Sequence, residues 1–157
     1  MVSEEQPAGL FSTITVSNEL DDDDLLGIVD MLYEEDKRNN PGKDNEDAIF
    51  NQMMSFYEDN EVYLWVAKKE GKTVGYGRAR ITGSRLKGDM IYVSPEARGL
   101  CVGKTLLKSQ IDFAIAEGLT EVYSCIDDGN VASLRVNQGL GFYVQKVDFG
   151  YDVSLKI

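Results

Sequence analysis

The sequence predicts an α/β (α+β) fold, a mixed central sheet of about seven strands flanked by about four helices. Three observations carry that reading. Helical apolar spacing fills 18–60 after one short strand. The period then changes to two over 61–94, as in an antiparallel meander. From Pro95 onward, helix-like and strand-like stretches alternate.

Residues 1–10 show no periodicity and read as a flexible N-terminal arm, leaving 11–157 as one domain. "FSTITVS" (11–17) interleaves Phe11, Ile14 and Val16 with Ser and Thr, a strand pattern. In 18–36, Leu25, Ile28, Val29 and Leu32 form one helical face, and Asp21 to Asp24 lie in the first turns, where carboxylates offset the helix dipole. Asn, Pro and Gly break the chain at 37–45. A second helix, 46–60, sets Ile49, Met53 and Phe56 on one side.

Over 61–69, Val62, Leu64 and Val66 alternate with Tyr63, Trp65 and Ala67. "EGK" (70–72) turns the chain into a return strand, 73–81, with Gly75, Gly77 and Ala79 on one face; Arg78 and Arg80 share the other and read as exposed. "TGSRLKG" (82–88) reads as a second turn and 89–94 as a third strand. A helix over 98–118 lines up Leu107, Ile111 and Ala114 and ends at Gly118. There follow a strand (120–126), a short helix (130–141) with Asn130 as its N-cap, and a closing hairpin (142–157) whose edge strand offers a homodimer contact.

Composition narrows the function classes. The chain is 43% hydrophobic and 27% charged, the range of soluble globular proteins. It holds no apolar run of the ~18 residues a membrane span needs, and the acidic start has no signal-peptide core. Two cysteines without a secretory signal suggest free thiols and a cytoplasmic location. The absence of histidine removes the commonest general base and metal ligand, and no metal is expected. A net charge of −11 disfavours a nucleic-acid partner and draws cations instead.

The chemistry concentrates in "SPEARGLCVGKTLL" (94–107), where a strand runs through a loop with Gly99 and Gly103 into a helix. Such a loop points several backbone N–H groups at one place, and the helix dipole adds positive character. Arg98 and Lys104 bracket it, which suits a pyrophosphate. It is neither GxxxxGK[ST] nor GxGxxG, and its strand leaves an antiparallel meander.

"IYVSPEARGLCVGKTLL" resembles the acetyl-CoA-binding segment of the GNAT (Gcn5-related N-acetyltransferase) superfamily: a strand ending in Val, then Pro, then Arg/Gln-x-x-Gly-x-Gly/Ala. Arg98 takes the first position, Cys101 stands in place of the first glycine, and Gly103 is the second. "NVASLRVNQGLGF" is similar to the family's second signature, Asn-x-x-Ala/Ser-x-x-x-Tyr-x-x-x-Gly-Phe, at Asn130, Ser133, Gly141 and Phe142. The element order follows the family over 11–157.

The resemblance implies a GNAT fold and an acetyl-CoA-dependent N-acetyltransferase. The acceptor would be a primary amine of cationic character: a small-molecule amine, an aminoglycoside, a polyamine, or a protein or peptide amine. The amine would attack the thioester directly. The alternative is a catalytically weak acyl-CoA-binding or regulatory module. Acetyl-CoA would lie along Tyr92 and Val93 and over Arg98, Gly99, Leu100, Cys101, Val102, Gly103, Lys104 and Thr105, with the N–H of Val93 or a neighbour polarising the thioester carbonyl. Asn130 and Ser133 would face the pantetheine arm or the adenosine.

The departures from the family pattern set further expectations. Cys101 requires a backbone outside the left-handed region and a Cβ turned from the ligand. Asn137 replaces the tyrosine that protonates the leaving thiolate, so water or a phenol such as Tyr143 would serve. Cys125 holds a position that some members fill with a glutamate base. Asp127, two residues on, shares its strand face and is the first candidate base; Asp89 is the second.

Overall fold

The computed structural model describes residues 14–157. In chain order the elements are β1 (Ile14–Ser17), α1 (Asp22–Asn39), α2 (Glu46–Glu58), β2 (Val62–Lys69), β3 (Lys72–Thr82), β4 (Arg85–Val93), α3 (Val102–Ala116), β5 (Glu121–Asp127), α4 (Val131–Gly139), β6 (Tyr143–Val147) and β7 (Gly150–Lys156). One sheet holds all seven strands in the order β1-β2-β3-β4-β5-β7-β6. Only the β4–β5 pair is parallel; the rest are antiparallel. The mixed seven-stranded sheet with four α-helices is the predicted architecture. The N-terminal arm and the first part of the first predicted strand lie outside the described residues.

Both faces of the sheet are covered by helices. On one, α1 and α2 bury Leu25, Ile28, Val29, Met31 and Met53 against Val62, Leu64, Val66 and Tyr76. On the other, α3 brings Val102, Leu106, Leu107 and Ala114 onto Trp65, Ala67, Ala79, Leu86, Val122 and Val153. The small face of β3 explains itself here. A Cβ on Gly75 would sit 2.8 Å from Val102 Cγ1 and 3.1 Å from Leu106 Cδ1, so the glycines let α3 lie close. No described helix is long and apolar enough to cross a membrane.

Asp21 caps α1: its carboxylate accepts from the Asp24 N–H at 2.8 Å, and Asp24 returns a bond to the Asp21 N–H at 3.0 Å. Asp24 is buried and ion-paired with Lys68 of β2. Burial pushes the Asp24 carboxyl up, but the Lys68 ammonium and the Asp21 N–H together hold it below its ordinary value.

Three boundaries differ most from expectation. Strand β4 begins at Arg85, inside the stretch read as a turn, because Arg85 to Gly88 pair with both β3 and β5. Helix α3 begins at Val102; a 3₁₀ turn at Pro95–Ala97 and a short loop precede it. Helix α1 runs to Asn39, three residues past its predicted end at 36. Arg78 and Arg80 are not a free surface pair either, since both approach Asp89.

Gly150 opens β7 opposite Asp127, and a Cβ there would run into the carbonyl oxygen of Ile126. Gly150→Ala is expected to lower stability by about 1–3 kcal/mol, an overpacking cost. Urea denaturation measures it, and an unchanged midpoint would show that the hairpin yields freely.

Candidate active site

The parallel ladder between β4 and β5 covers Arg85↔Glu121 to Gly88↔Ser124 and stops. Past it, β4 continues to Val93 beside β3, and β5 continues to Asp127 beside β7. A cleft of about 720 Å³ is lined by the end of β4, the loop before α3, the first turns of α3, and α4. The Ser94 N–H donates to Val74 of β3 at 2.9 Å. Strand alternation therefore turns the N–H groups of Ile91 and Val93 away from β3, toward the gap. The Val93 carbonyl, on that same side, accepts from Arg98 Nε at 3.2 Å.

Helix α3 points its start into this cleft. The Thr105 N–H reaches the Cys101 carbonyl at 3.0 Å, while the N–H groups of Val102, Gly103 and Lys104 have no side-chain cap. Cys101 is the N-cap residue, with φ 62°. The expectation that it avoids the left-handed region is therefore wrong. The chain must reverse between the 3₁₀ turn and α3, and Gly99 (φ 86°) supplies only part of that reversal. Arg98, Lys104 and Arg135 add positive charge to the lining, and no ion pair among the described residues engages them. Three uncapped N–H groups, three cations and a long apolar-sided cleft fit a pyrophosphate-bearing, extended ligand such as coenzyme A.

The sequence of residues 29–142 matches the model of the acetyltransferase (GNAT) family. The chain belongs to that family. A mycothiol acetyltransferase from Stackebrandtia nassauensis is 25% identical over 116 residues, covering 69% of this chain but only 37% of that protein. The chain thus spans little more than a third of the length of that relative. Among solved structures, the PaiA N-acetyltransferase of Thermoplasma acidophilum, in complex with coenzyme A, superposes with a TM-score of 0.73 at 18% identity over 92% of this chain and 99% of that one. A structure from Salmonella typhimurium, solved with its cofactor acetyl-CoA, gives 0.69 at 21% identity over 92% and 94%.

In this GNAT domain most of the expected ligand-facing residues come together. Tyr92, Val93, Arg98, Gly99, Cys101, Val102, Gly103, Lys104, Asn130, Ser133 and Asn137 line the cleft. Leu100 does not; it points to solvent. Thr105 turns its hydroxyl back to the Cys101 carbonyl at 2.8 Å. In α4, Asn130 accepts from the Ser133 N–H at 3.2 Å, and the Asn137 amide donates to the Ser133 carbonyl at 2.8 Å. Arg135 was not singled out in the sequence, although it sits inside the second motif.

The expected acid and base residues are scattered. Asp127 stands exposed at the end of β5, roughly level with Ile91 across the gap if the ladder register is extended at ~3.3 Å per residue. Asp89 is held at 2.8 Å by Arg80 Nε and is 12% exposed. Tyr143 is 68% exposed on β6, opposite Ser154 and level with Tyr123, about 13 Å along the sheet from Asp127. The cleft's own phenol is Tyr92. The Cys125 thiol donates to Asp152 at 3.3 Å, which, with burial, raises its pKa and keeps it protonated.

A cluster that sequence reasoning missed joins α1 to β4. The Tyr92 hydroxyl donates to Glu35 at 2.8 Å, and Arg38 donates to the same carboxylate oxygen at 2.9 Å. Arg38 first and Tyr92 second hold the Glu35 carboxyl below its usual range. Burial, then Glu35, raise the Tyr92 phenol. Tyr92 was expected beside acetyl-CoA, but nothing local in the sequence joined it to Glu35.

Two outcomes follow. Cys101→Gly is expected to raise stability by about 1 kcal/mol by relieving the left-handed backbone, and Cys101→Val to lower it; a gain with valine in urea denaturation would remove the strain account. Glu35 has a depressed pKa in the folded state, so its contribution is present above the ordinary carboxylate pKa and is lost as pH falls through the folded value. The stability gap between wild type and Glu35→Gln should therefore close on acidification below about pH 4. Thermal melts from pH 7 downward test this, and a gap that stays constant would refute it.

Proposed function

We propose that the chain is an acetyl-CoA-dependent N-acetyltransferase whose acceptor is a primary amine that attacks directly. The observation that carries the reading is the uncapped start of α3, with Arg98, Lys104 and Arg135, opening onto the gap between β4 and β5. Bound there, acetyl-CoA supplies an activated acyl carbon. The N–H groups of Val93 and Ile91 on the gap side are free of β3 and suited to polarise a carbonyl. The amine would approach from the α1–α2 face and must be neutral to attack. Asp127, exposed beside the gap, takes its proton directly or through water. Asp89 is a weaker choice because Arg80 occupies it.

A second reading, a catalytically weak acyl-CoA-binding or regulatory module, draws support from Asn137. Its amide is committed to the Ser133 carbonyl and supplies no acidic proton to a leaving thiolate. We weigh this as a modest handicap, since a thiol with a pKa of about 8.5 leaves tolerably at neutral pH without general acid help.

Thiol release from acetyl-CoA over a panel of amino acids, peptides, polyamines and aminoglycosides tests the proposal. Amine-dependent release is expected; tight acetyl-CoA binding with no release for any amine would favour the module. Asp127→Asn is expected to lower kcat/KM by about 10²–10⁴ and to change the shape of the pH–rate profile. An unchanged profile would take Asp127 out of the mechanism.

A further inference from the structure

The sheet face under α1 and α2 carries two arginines that the acyl-transfer reading does not use. In β4 the register slips between its pairings with Arg78 and Ala79: Met90 faces Arg78, Gly88 faces Ala79, and Asp89 is the extra residue. This bulge re-aims the Asp89 carboxylate toward β3. Arg80 Nε donates to it at 2.8 Å, and Arg78 Nε lies 3.7 Å from the same oxygen. Two guanidinium groups thus share one carboxylate at contact distance, and Asp59 and Glu61 act on Arg80 from farther away.

Arg78 is built in rather than draped on the surface. Its side chain is 16% exposed, its guanidinium carbon lies 3.9 Å from the Phe56 ring centroid, and Nη1 donates to the Tyr76 hydroxyl at 3.2 Å. Its Nε is buried and makes no hydrogen bond. A guanidinium carries five N–H donors in a fixed fork. A largely buried one with donors to spare is complementary to an oxyanion.

Resting on the acyl-transfer reading, we propose that Arg78, with Arg80, receives an oxyanion carried by the acceptor, so that the acceptor is an amine bearing a carboxylate or phosphate. Arg78 stands opposite Met90, three residues before Val93. That separation is about 10 Å along the strand, so the amine and the oxyanion are several bonds apart. The overall charge of −11 attracts any cation at long range, but a guanidinium offers donors and no acceptor, so at contact distance Arg78 pairs with an oxyanion and not with a second ammonium.

Four probes of one chain length test this: hexylamine, 1,6-diaminohexane, 6-aminohexanoate and 6-aminohexyl phosphate, each with acetyl-CoA. One of the two oxyanion-bearing amines is expected to exceed hexylamine and the diamine by about tenfold or more in kcat/KM, mainly through KM. Whichever is preferred identifies the oxyanion. Arg78→Met should bring the ratio of that amine to hexylamine near one, with Arg78→Lys restoring part of it. If Arg78→Met fails to fold, Arg80→Met, at the more exposed position, should shift the ratio in the same direction.

Calorimetry on the coenzyme A-loaded protein decides the matter without turnover. The N-acetyl derivative of 6-aminohexanoate or of the aminohexyl phosphate should bind more tightly than N-hexylacetamide, and the preference should vanish in the variants. No thiol release with any amine, alongside that preference, would sink the transferase reading and keep the oxyanion site. Release with the diamine favoured, or with ratios unmoved by either variant, would overturn the oxyanion site and keep the transferase. Neither release nor preference would overturn both.

Discussion

Four residue pairs tie β4 to β5, and the ladder closes where the Ser124 hydroxyl donates to the Gly88 carbonyl at 2.9 Å. The bulge at Asp89 then bends β4 along β3, while β5 stays with β7 as far as Gly150. A parallel pair that parts leaves a row of backbone N–H and C=O groups on each side. Such groups are tolerated only where water or a ligand can reach them. The gap is therefore both the weak line of the sheet and a place inside it where an extended ligand can add main-chain hydrogen bonds. The cleft, the free Val93 N–H and the position of Asp127 all derive from that parting.

What brings α3 to the gap is the absence of side chains on β3. Gly75 and Gly77 leave no room for a Cβ beneath Val102, Leu106 and Gln110, so the helix axis comes close to the sheet and its first turn overhangs the end of β4. The chain must then reverse sharply between Val93 and Val102, through a 3₁₀ turn, Gly99 and Cys101. A cysteine in the left-handed region carries a backbone cost of about 1–2 kcal/mol. That cost is offset by the packing of α3, whose Val102 and Leu106 are almost wholly buried. Strain at the loop and burial in the helix are two sides of one placement: the N–H groups of α3 reach the cleft because the residue before them is held in a conformation it does not prefer.

Sequence periodicity revealed every described strand and helix, because each core face repeats at its own period: Val62, Leu64 and Val66 on β2, or Leu25, Ile28 and Val29 on α1. The cofactor side of the site was legible for a related reason. Its lining falls in two short segments, 91–107 and 130–139, which the resemblance to the family's two signatures joins. The cluster that joins α1 to β4 was not. Tyr92 and Glu35 meet across 57 positions, and only the packing of α1 on the sheet determines that they touch. The start of β4 was missed because Ser84, Lys87 and Gly88 have turn-like composition, while the β5 strand that claims them lies far along the chain. Arg78 and Arg80 looked exposed because alternation cannot foresee a bulge that turns a carboxylate toward them.

The same distinction between global and local governs the electrostatics. With 27 acidic against 16 basic side chains, the protein as a whole repels a polyanion. Yet screening confines that repulsion to about 8 Å of the surface at physiological ionic strength. Inside the cleft, Arg98, Lys104, Arg135 and the start of α3 act at contact distance, where each charge-assisted bond outweighs a diffuse field. An acidic exterior with cationic interior sites thus selects by shape. A long flexible polyanion meets the repulsion over its whole length. A compact ligand that carries its charge on one pyrophosphate meets the repulsion briefly and the cations for as long as it stays.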